Sequence, residues 1–210
     1  MFSKSNEYNP GKAEQLLDEA GWKLGKDGIR EKEINGEVKK FKFSLATASG
    51  EPFRTASVEN IIKMWDAVGI KTTSDFKSST VLFGGDYLRR HQFEAVEFAW
   101  VSNPIRPNCN LFSRDQIPAE DNGWVGQNMG GWYGDDEHEE LVLAIQRELP
   151  DDELQEIFNK EFAIWSEELP ALPLYNRYNV DVTKYNLENY LPTGAQAPPN
   201  WNCEFWYLEN

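Results

Sequence analysis

The amino-acid sequence predicts an α/β fold, a mixed sheet flanked by helices, and three observations support this prediction. Strand-like and helix-like patterns alternate through the first hundred residues, glycines close the helical patterns, and apolar residues make up 40% of the chain. Alternating strands and helices favour a sheet covered by helices. With 210 residues, the chain is also long enough to bury a sizeable core.

The first predicted element is an amphipathic helix over residues 10–20. Asn9 precedes a proline at the first helical position, apolar residues recur at helical spacing, and Gly21 follows. After a polar turn, Asn35 and Gly36 form the dipeptide that is typical of a tight hairpin. The next predicted elements are a strand at residues 41–46, a helix at 51–68, a strand at 70–76, a helical segment at 81–91 and a strand at 93–100.

The second half of the chain is less regular. Residues 101–134 are rich in Pro, Asn, Gly and aromatic residues, and a connection of that length is usually functional. Residues 135–169 hold thirteen acidic residues against two basic ones and predict two helices separated at Pro150, with the carboxylates on a solvated face. A strand-like end is predicted at residues 179–183.

Charge and apolar patterning restrict the class of partner. The formal net charge is −14 and the pI is near 4.6, which argues against nucleic acid or an anionic membrane surface. No run approaches 18 consecutive apolar residues, and no signal-peptide pattern opens the sequence. Because a helix is predicted after only a short polar leader, we expect the chain to be a fragment of a longer protein.

Catalytic motifs are missing from the sequence. It contains no GxSxG, HExxH, GxxxxGK[ST] or GxGxxG pattern. An acidic α/β carbohydrate-active hydrolase with a carboxylate pair remains an open alternative, because 35 acidic residues are present. His138 lies among acidic residues that suit either a metal site or, as we favour, the first turn of a helix. Cys109 and Cys203 are compatible with one disulfide or with two thiols.

Aromatic residues give a signal for binding instead. The chain has 28 of them, and several lie in irregular segments where no helical or strand periodicity assigns them to a core. Exposed rings offer apolar area with a polar edge, which suits peptides or sugars. The open alternative for each ring is a place in the core beneath the long loops.

Six blocks of sequence resemble, in order, the C-terminal lobe of the peptide/nickel family of extracellular solute-binding proteins, the oligopeptide- and dipeptide-binding receptors of ABC importers. The blocks are NPGKAEQLLDEAGW, DGIREKEINGE, FKFSLATASGEP, VGIKT, FEAVEFAWVSNP and EELPALPLYNRYNV. Together they span nearly the whole chain.

The resemblance implies a non-catalytic lobe of a type II periplasmic-binding-protein-like fold, with residues 1–210 as a single C-terminal lobe of a larger two-lobed protein. It implies that the ligand, most simply a peptide, lies between the lobes, that the partner is an ABC permease, and that the receptor is a monomer without a cofactor or metal. The implied location is periplasmic or extracellular, with a lipid anchor left open. Receptors for sugars or nickel complexes in the same family are the second alternative.

The resemblance also implies site residues. Peptide-binding relatives commonly have W-x-x-D where this chain has Trp100 and Asn103, so a charged anchor for a peptide amine is weakened here. Glu97 is the candidate to compensate, and an exposed or intramolecularly paired carboxylate is the alternative that we favour. The block GQNMGGWYGDDEHEEL resembles a segment bordering the cleft, and it adds Asn128, Trp132 and Tyr133 to the expected ligand contacts.

Overall fold

The computed structural model describes residues 7–100, 109–176, 180–192 and 198–209. Its helices and strands, in chain order, are α1 (Pro10–Glu19), β1 (Lys23–Leu24), β2 (Arg30–Ile34), β3 (Glu37–Lys40), β4 (Lys42–Ala48), α2 (Pro52–Ala67), β5 (Lys71–Lys77), α3 (Ser79–Gly84), α4 (Asp86–Arg89), β6 (Ala95–Val96), α5 (Asp136–Ile145), α6 (Asp151–Glu168), β7 (Leu187–Glu188) and β8 (Tyr207–Leu208). Short 3₁₀ turns lie at Cys109–Phe112, Arg114–Gln116, Glu120–Asn122 and Cys203–Phe205.

A parallel sheet of three strands organises the fold. β4 lies in the middle, with β5 on one side and β6 on the other, and both pairings are parallel. The helix α2 makes the crossover from β4 to β5, as a parallel pair requires. β1, β2 and β3 form a separate antiparallel sheet, and β7 pairs with β8. The predicted α/β class is confirmed, although the parallel and antiparallel pairings occur in separate sheets.

Local signals in the sequence fix several element ends. The Asn9 side chain accepts a hydrogen bond from the Lys12 amide and so caps α1. Asn35 and Gly36 both have positive φ, 54° and 80°, as the predicted tight hairpin between β2 and β3 requires. Gly69 ends the α2 region with a φ of 84°. These features are confirmed because each depends on a few neighbouring residues.

Three predicted elements differ from the structure. The helical segment at residues 81–91 is two short helices, α3 and α4, because Gly85 is in an extended conformation. The strand at residues 93–100 shortens to β6, which pairs with β4 over two residues. In the predicted strand at residues 179–183, the described residues 180–183 form no strand and are exposed, since none of the described strands pairs with them. Residue 179 lies outside the described residues.

The buried core lies around the carboxyl half of β4. Leu45, Ala46 and Ala48 are at most 3% exposed, and Leu82 from α3 and Leu88 from α4 pack beside them. Small side chains in β4 let the short helices approach the sheet closely. This packing holds α3 beside the carboxyl end of the sheet, which positions the site described below.

Arg30 joins three parts of the amino-terminal half. Its guanidinium is buried and donates to the Asp18 carboxylate of α1, to the Trp22 carbonyl and to the Val68 carbonyl at the end of α2, each at 2.7 Å. The hydrogen bond to Asp18, more than any other interaction, lowers the pKa of that carboxylate. Because α1 has half-buried but no fully buried residues, the contact between Asp18 and Arg30 is an important part of its attachment.

The acidic helices follow the predicted arrangement. Asp135 caps α5 by accepting a hydrogen bond from the His138 amide at 2.8 Å, and Pro150 precedes α6. Most of their carboxylates are exposed, as the predicted solvated face requires. Within the described part of the chain, no helix combines the length and apolar character that crossing a bilayer demands.

Candidate functional site

A row of three aromatic rings lies at the carboxyl end of the parallel sheet. Phe83 at the end of α3 contacts Phe98 edge to face, with centroids 6.3 Å apart, and Phe98 contacts Trp100 at 5.3 Å. Phe83 and Trp100 are 45% and 43% exposed, although large aromatic rings normally bury more of their area. In open α/β sheets, ligands bind outside the carboxyl ends of the strands. We call Phe83, Phe98 and Trp100 the aromatic row.

Glu97 lies where β6 leaves the sheet, directly before the aromatic row. Its carboxylate accepts a hydrogen bond from the Thr47 hydroxyl at 2.6 Å and lies 3.3 Å from Nη1 of Arg54. The side chains of Glu97 and Arg54 are only 9% and 7% exposed. Glu97 is therefore paired within the protein, which is the alternative to a ligand contact that the sequence analysis favoured.

Asn128 holds the loop that precedes α5. It is 1% exposed, and its side-chain amide donates to the carbonyls of Ser113 and Trp132 while its side-chain oxygen accepts from the Trp132 amide. These bonds close the loop on itself. The Asn128 side chain is thus engaged by the protein backbone.

Two further features pack the same loop closely against the rest of the protein. Gly126 has a φ of 153°, and a Cβ there would overlap the Gln116 carbonyl, so only glycine fits. The two His91 ring nitrogens lie 3.0 Å and 3.1 Å from the carbonyl oxygens of Met129 and Pro118. A neutral ring donates one of these hydrogen bonds and a protonated ring donates both. His91 therefore links the end of α4 to the loop.

Trp132 and Tyr133 are neighbours in sequence but differ in environment. The Trp132 ring is half-buried and packs edge to face on His138 at 4.5 Å and on Phe112 at 6.4 Å. Tyr133 is 72% exposed, and the Arg114 guanidinium lies 4.4 Å from its ring centroid. Tyr133 is open to solvent, whereas much of the Trp132 ring is packed within the protein.

Beneath Trp132, two titratable side chains meet in the interior. The His138 ring is fully buried, its Nδ1 lies 3.7 Å from the Glu161 carboxylate of α6, and neither ring nitrogen has a hydrogen bond of ordinary geometry with a described residue. Burial raises the pKa of Glu161 to about 7. Burial likewise lowers the pKa of His138, while the Phe112 backbone and the carboxylates of Glu139 and Asp135 oppose that shift.

The metal hypothesis for the His138 region gains no support from this geometry. Asp135 is engaged as the helix cap, and the described residues contain no group of three or more side chains able to hold a metal ion. The His138 imidazole and the Glu161 carboxylate face each other inside the fold, 3.7 Å apart.

The structure arranges the predicted site residues in two places. Glu97 and Trp100 lie on one segment at the sheet edge, whereas Asn128, Trp132 and Tyr133 lie in the loop before α5. Among the described residues, no ring contact joins the two groups. Asn103 lies outside the described residues. The role of each of these residues in ligand binding stays a prediction.

Sequence reasoning missed Arg54, His91 and Glu161. Arg54 could have been suspected, since it lies four residues before Val58 on the helix face that turns out to be buried. Glu161 could also have been flagged, because it falls between the apolar positions Phe158 and Trp165 of α6. His91 gave no signal, as its partners lie 27 and 38 residues away.

Comparison with solved structures defines the class of protein. The chain shares the fold of type II periplasmic binding proteins. It superposes with a TM-score of 0.83 on an oligopeptide-binding protein from Thermus thermophilus complexed with a pentapeptide, at 31% identity over 95% of this chain and 35% of that one. It also superposes on NikZ from Campylobacter jejuni in complex with Ni(L-His), with a TM-score of 0.74 at 20% identity, covering 97% and 41% of the two chains.

Sequence comparison then gives the family. Residues 2–114 match the family model described as bacterial extracellular solute-binding proteins, family 5, middle region, and the chain belongs to this family. It is 28% identical over 209 residues to the oligopeptide-binding protein AppA of Bacillus subtilis (strain 168), which covers 96% of this chain and 35% of AppA. The chain thus spans about a third of the length of these relatives and belongs to a family of solute-binding proteins.

Proposed function

We propose that the chain is the C-terminal lobe of a two-lobed receptor that captures peptides outside the cytoplasm and delivers them to an ABC permease. The aromatic row at the carboxyl end of the parallel sheet carries this proposal, because it presents exposed rings where open α/β sheets bind ligands. The likeness to an oligopeptide-binding protein complexed with a pentapeptide supports peptides as the ligand class.

In this proposal, Trp100 contacts the ligand directly. Its ring is 43% exposed and is held at a fixed angle by Phe98. Tyr133, exposed beside Arg114, is the second direct contact that we propose. Asn128 and Trp132 shape the loop that carries Tyr133, and Asn103 supplies a neutral polar group. The receptor acts by closing two lobes on the peptide, with no chemical step.

The first experiment identifies the ligand and tests Trp100. The full-length protein is incubated with a random pentapeptide pool, bound material is read by mass spectrometry, and the dissociation constant of the most abundant peptide is measured by calorimetry. Trp100→Ala is expected to raise that constant about tenfold or more, because truncating a central aromatic contact typically costs that much. Its melting temperature is expected to stay close to that of the parent protein.

Phe205→Ala is the matched control. Phe205 is 63% exposed in the last 3₁₀ turn and lies outside the proposed site, so its replacement is expected to leave peptide affinity unchanged. Recovery of a sugar or a nickel complex in place of peptides would overturn the peptide assignment and favour the second alternative within the family. Release of a cleaved product would favour the hydrolase.

A second prediction concerns the lobe alone. If the cleft is formed by two lobes, the 210-residue chain presents one wall of it and is expected to bind the selected peptide at least tenfold more weakly than the full-length receptor. Calorimetry on both proteins measures this ratio, with circular dichroism as the check that the shorter chain is folded. Equal affinities would contradict the two-lobe proposal.

A further inference from the structure

The buried pair of Arg54 and Glu97 lies where the sheet passes into the aromatic row. Through it, the end of β6 is joined to α2 by the Arg54 guanidinium and to β4 by the Thr47 hydroxyl. The Glu97 amide also donates to the Ala46 carbonyl at 2.8 Å, which makes it the last residue here to continue the ladder between β6 and β4. Both the backbone and the side chain of Glu97 are therefore fixed.

A gain in stability alone does not explain why this ion pair is buried. Ion pairs that are withdrawn from water lose hydration, and replacement by apolar residues of similar size is often neutral for stability. The pair instead fixes the direction in which the chain leaves β6, and this direction places the aromatic row, because Phe98 and Trp100 follow Glu97 by one and three residues. A carboxylate held by two side chains from different elements leaves the following segment little freedom to rotate.

The pairing also determines whether the Glu97 carboxylate is available to a ligand. The Glu97 carboxylate accepts from Thr47 and is neutralised by Arg54, with 9% of its side chain exposed. A peptide ammonium group would have to displace Arg54 to reach it, and that would leave a buried guanidinium without its partner. Glu97 is therefore poorly suited to bind a charged peptide end.

We propose that Arg54 and Glu97 are positioning residues, which set the direction of the aromatic row, and that Glu97 gives the receptor no preference for peptides with a free amino terminus. This inference rests on the proposed function and sharpens its substrate class: at this edge of the cleft, Glu97 does not recognise the charge of the peptide terminus.

The test uses Glu97→Gln and Arg54→Met in the full-length protein. The selected peptide is measured with a free amino terminus and with an acetylated one. Both variants are expected to raise the dissociation constants of the two forms by the same factor, about tenfold, so that the ratio between them stays at its parent value. The indole N–H signal of Trp100 in a ¹⁵N-correlated NMR spectrum is expected to shift, while that of Trp22, packed on Phe41, stays in place.

Glu94→Gln is the matched control. Glu94 lies just before β6 and ties it to β4 through hydrogen bonds from the Ser44 amide and hydroxyl, but at the opposite end of the strand from the aromatic row. We expect this variant to leave both dissociation constants and the Trp100 signal unchanged. If a single variant fails to fold, the apolar pair Arg54→Met with Glu97→Leu replaces it, with the same expected weakening of both peptides.

Three results would overturn the inference. Weaker binding of the free peptide alone in Glu97→Gln, or tighter binding of it in Arg54→Met, would show that Glu97 contacts the peptide amine. A lower melting temperature with unchanged affinity and an unchanged Trp100 signal would show a purely structural pair. If the parent protein binds neither peptide form, the proposed function fails, and the Trp100 signal in the two variants still decides whether the pair positions the row.

Discussion

Trp132→Ala is expected to lower the free energy of unfolding by about 3 kcal/mol, at the lower end of the range for truncating a packed tryptophan. The indole packs on His138 and on Phe112, and Phe112 in turn contacts Trp165 of α6 at 5.7 Å. Its removal would leave a cavity over a buried imidazole that lacks ordinary hydrogen bonds with the described residues. Urea unfolding followed by circular dichroism measures the change.

Tyr133→Ala serves as the stability control for this experiment. Tyr133 is 72% exposed, and its loss removes mainly the Arg114 contact, which is worth about 0.5–1 kcal/mol. The sequence assigned Trp132 to the ligand surface, and the experiment separates the two roles. Unchanged unfolding of Trp132→Ala together with weaker peptide binding would contradict the packing role and favour the ligand contact.

Glu161→Gln is expected to stabilise the protein at alkaline pH by about 2 kcal/mol while having little effect near pH 5. Burial raises the pKa of Glu161 to about 7 from an ordinary value of 4.5. The folded state therefore holds this proton more tightly than the unfolded state does. The stability that results is fully present below about pH 4.5 and is lost as the pH rises through 7, because a buried carboxylate must then ionise.

His138 makes the stability of the protein depend on pH in the opposite direction. Because burial lowers its pKa, the folded state resists protonation of the ring, and stability is lost as the pH falls below the ordinary value of 6.5. Melting curves between pH 5 and pH 8.5 should show Glu161→Gln losing stability only in acid. In the parent protein the opposite trends of Glu161 and His138 offset each other below about pH 6.5, so the advantage of Glu161→Gln should grow as the pH rises towards 7 and then stay constant.

Glu156→Gln, which removes an exposed carboxylate from the same helix, is the matched control. It is expected to leave the pH profile of the parent protein unchanged. A difference in stability between Glu161→Gln and the parent protein that stays constant from pH 5 to pH 8.5 would show that Glu161 is ionised throughout this range, and the buried pair would then carry no pH dependence of this kind.

The sequence was informative wherever structure depends on near neighbours. The Asn35-Gly36 turn, the Asn9 and Asp135 caps and the order of strands and helices follow from a few residues each. The family resemblance, which the family model confirms, rested on several such blocks in order.

Features that depend on distant residues could not be read in the same way. Glu97 and Arg54 are 43 positions apart, and nothing in either local pattern says that they pair. β6 pairs with β4 only at Leu45 and Ala46, although β4 itself continues to Ala48, and no local pattern marks where this pairing ends. Periodicity alone therefore predicted a strand that continued to Trp100. The exposure of Trp100 and the partial burial of Trp132 likewise depend on how α3, α5 and α6 pack.

The attachment of α1 through Arg30 has a consequence for local opening. A helix with no fully buried residue, joined to the buried Arg30 through the Asp18 carboxylate, gains little from the hydrophobic effect. Its amides should therefore exchange with deuterium through a local opening of low free energy, well before those of β4. Because Asp18 itself is half-exposed, added salt should accelerate that exchange, and α1 would open as a unit of its own while the parallel sheet stays folded.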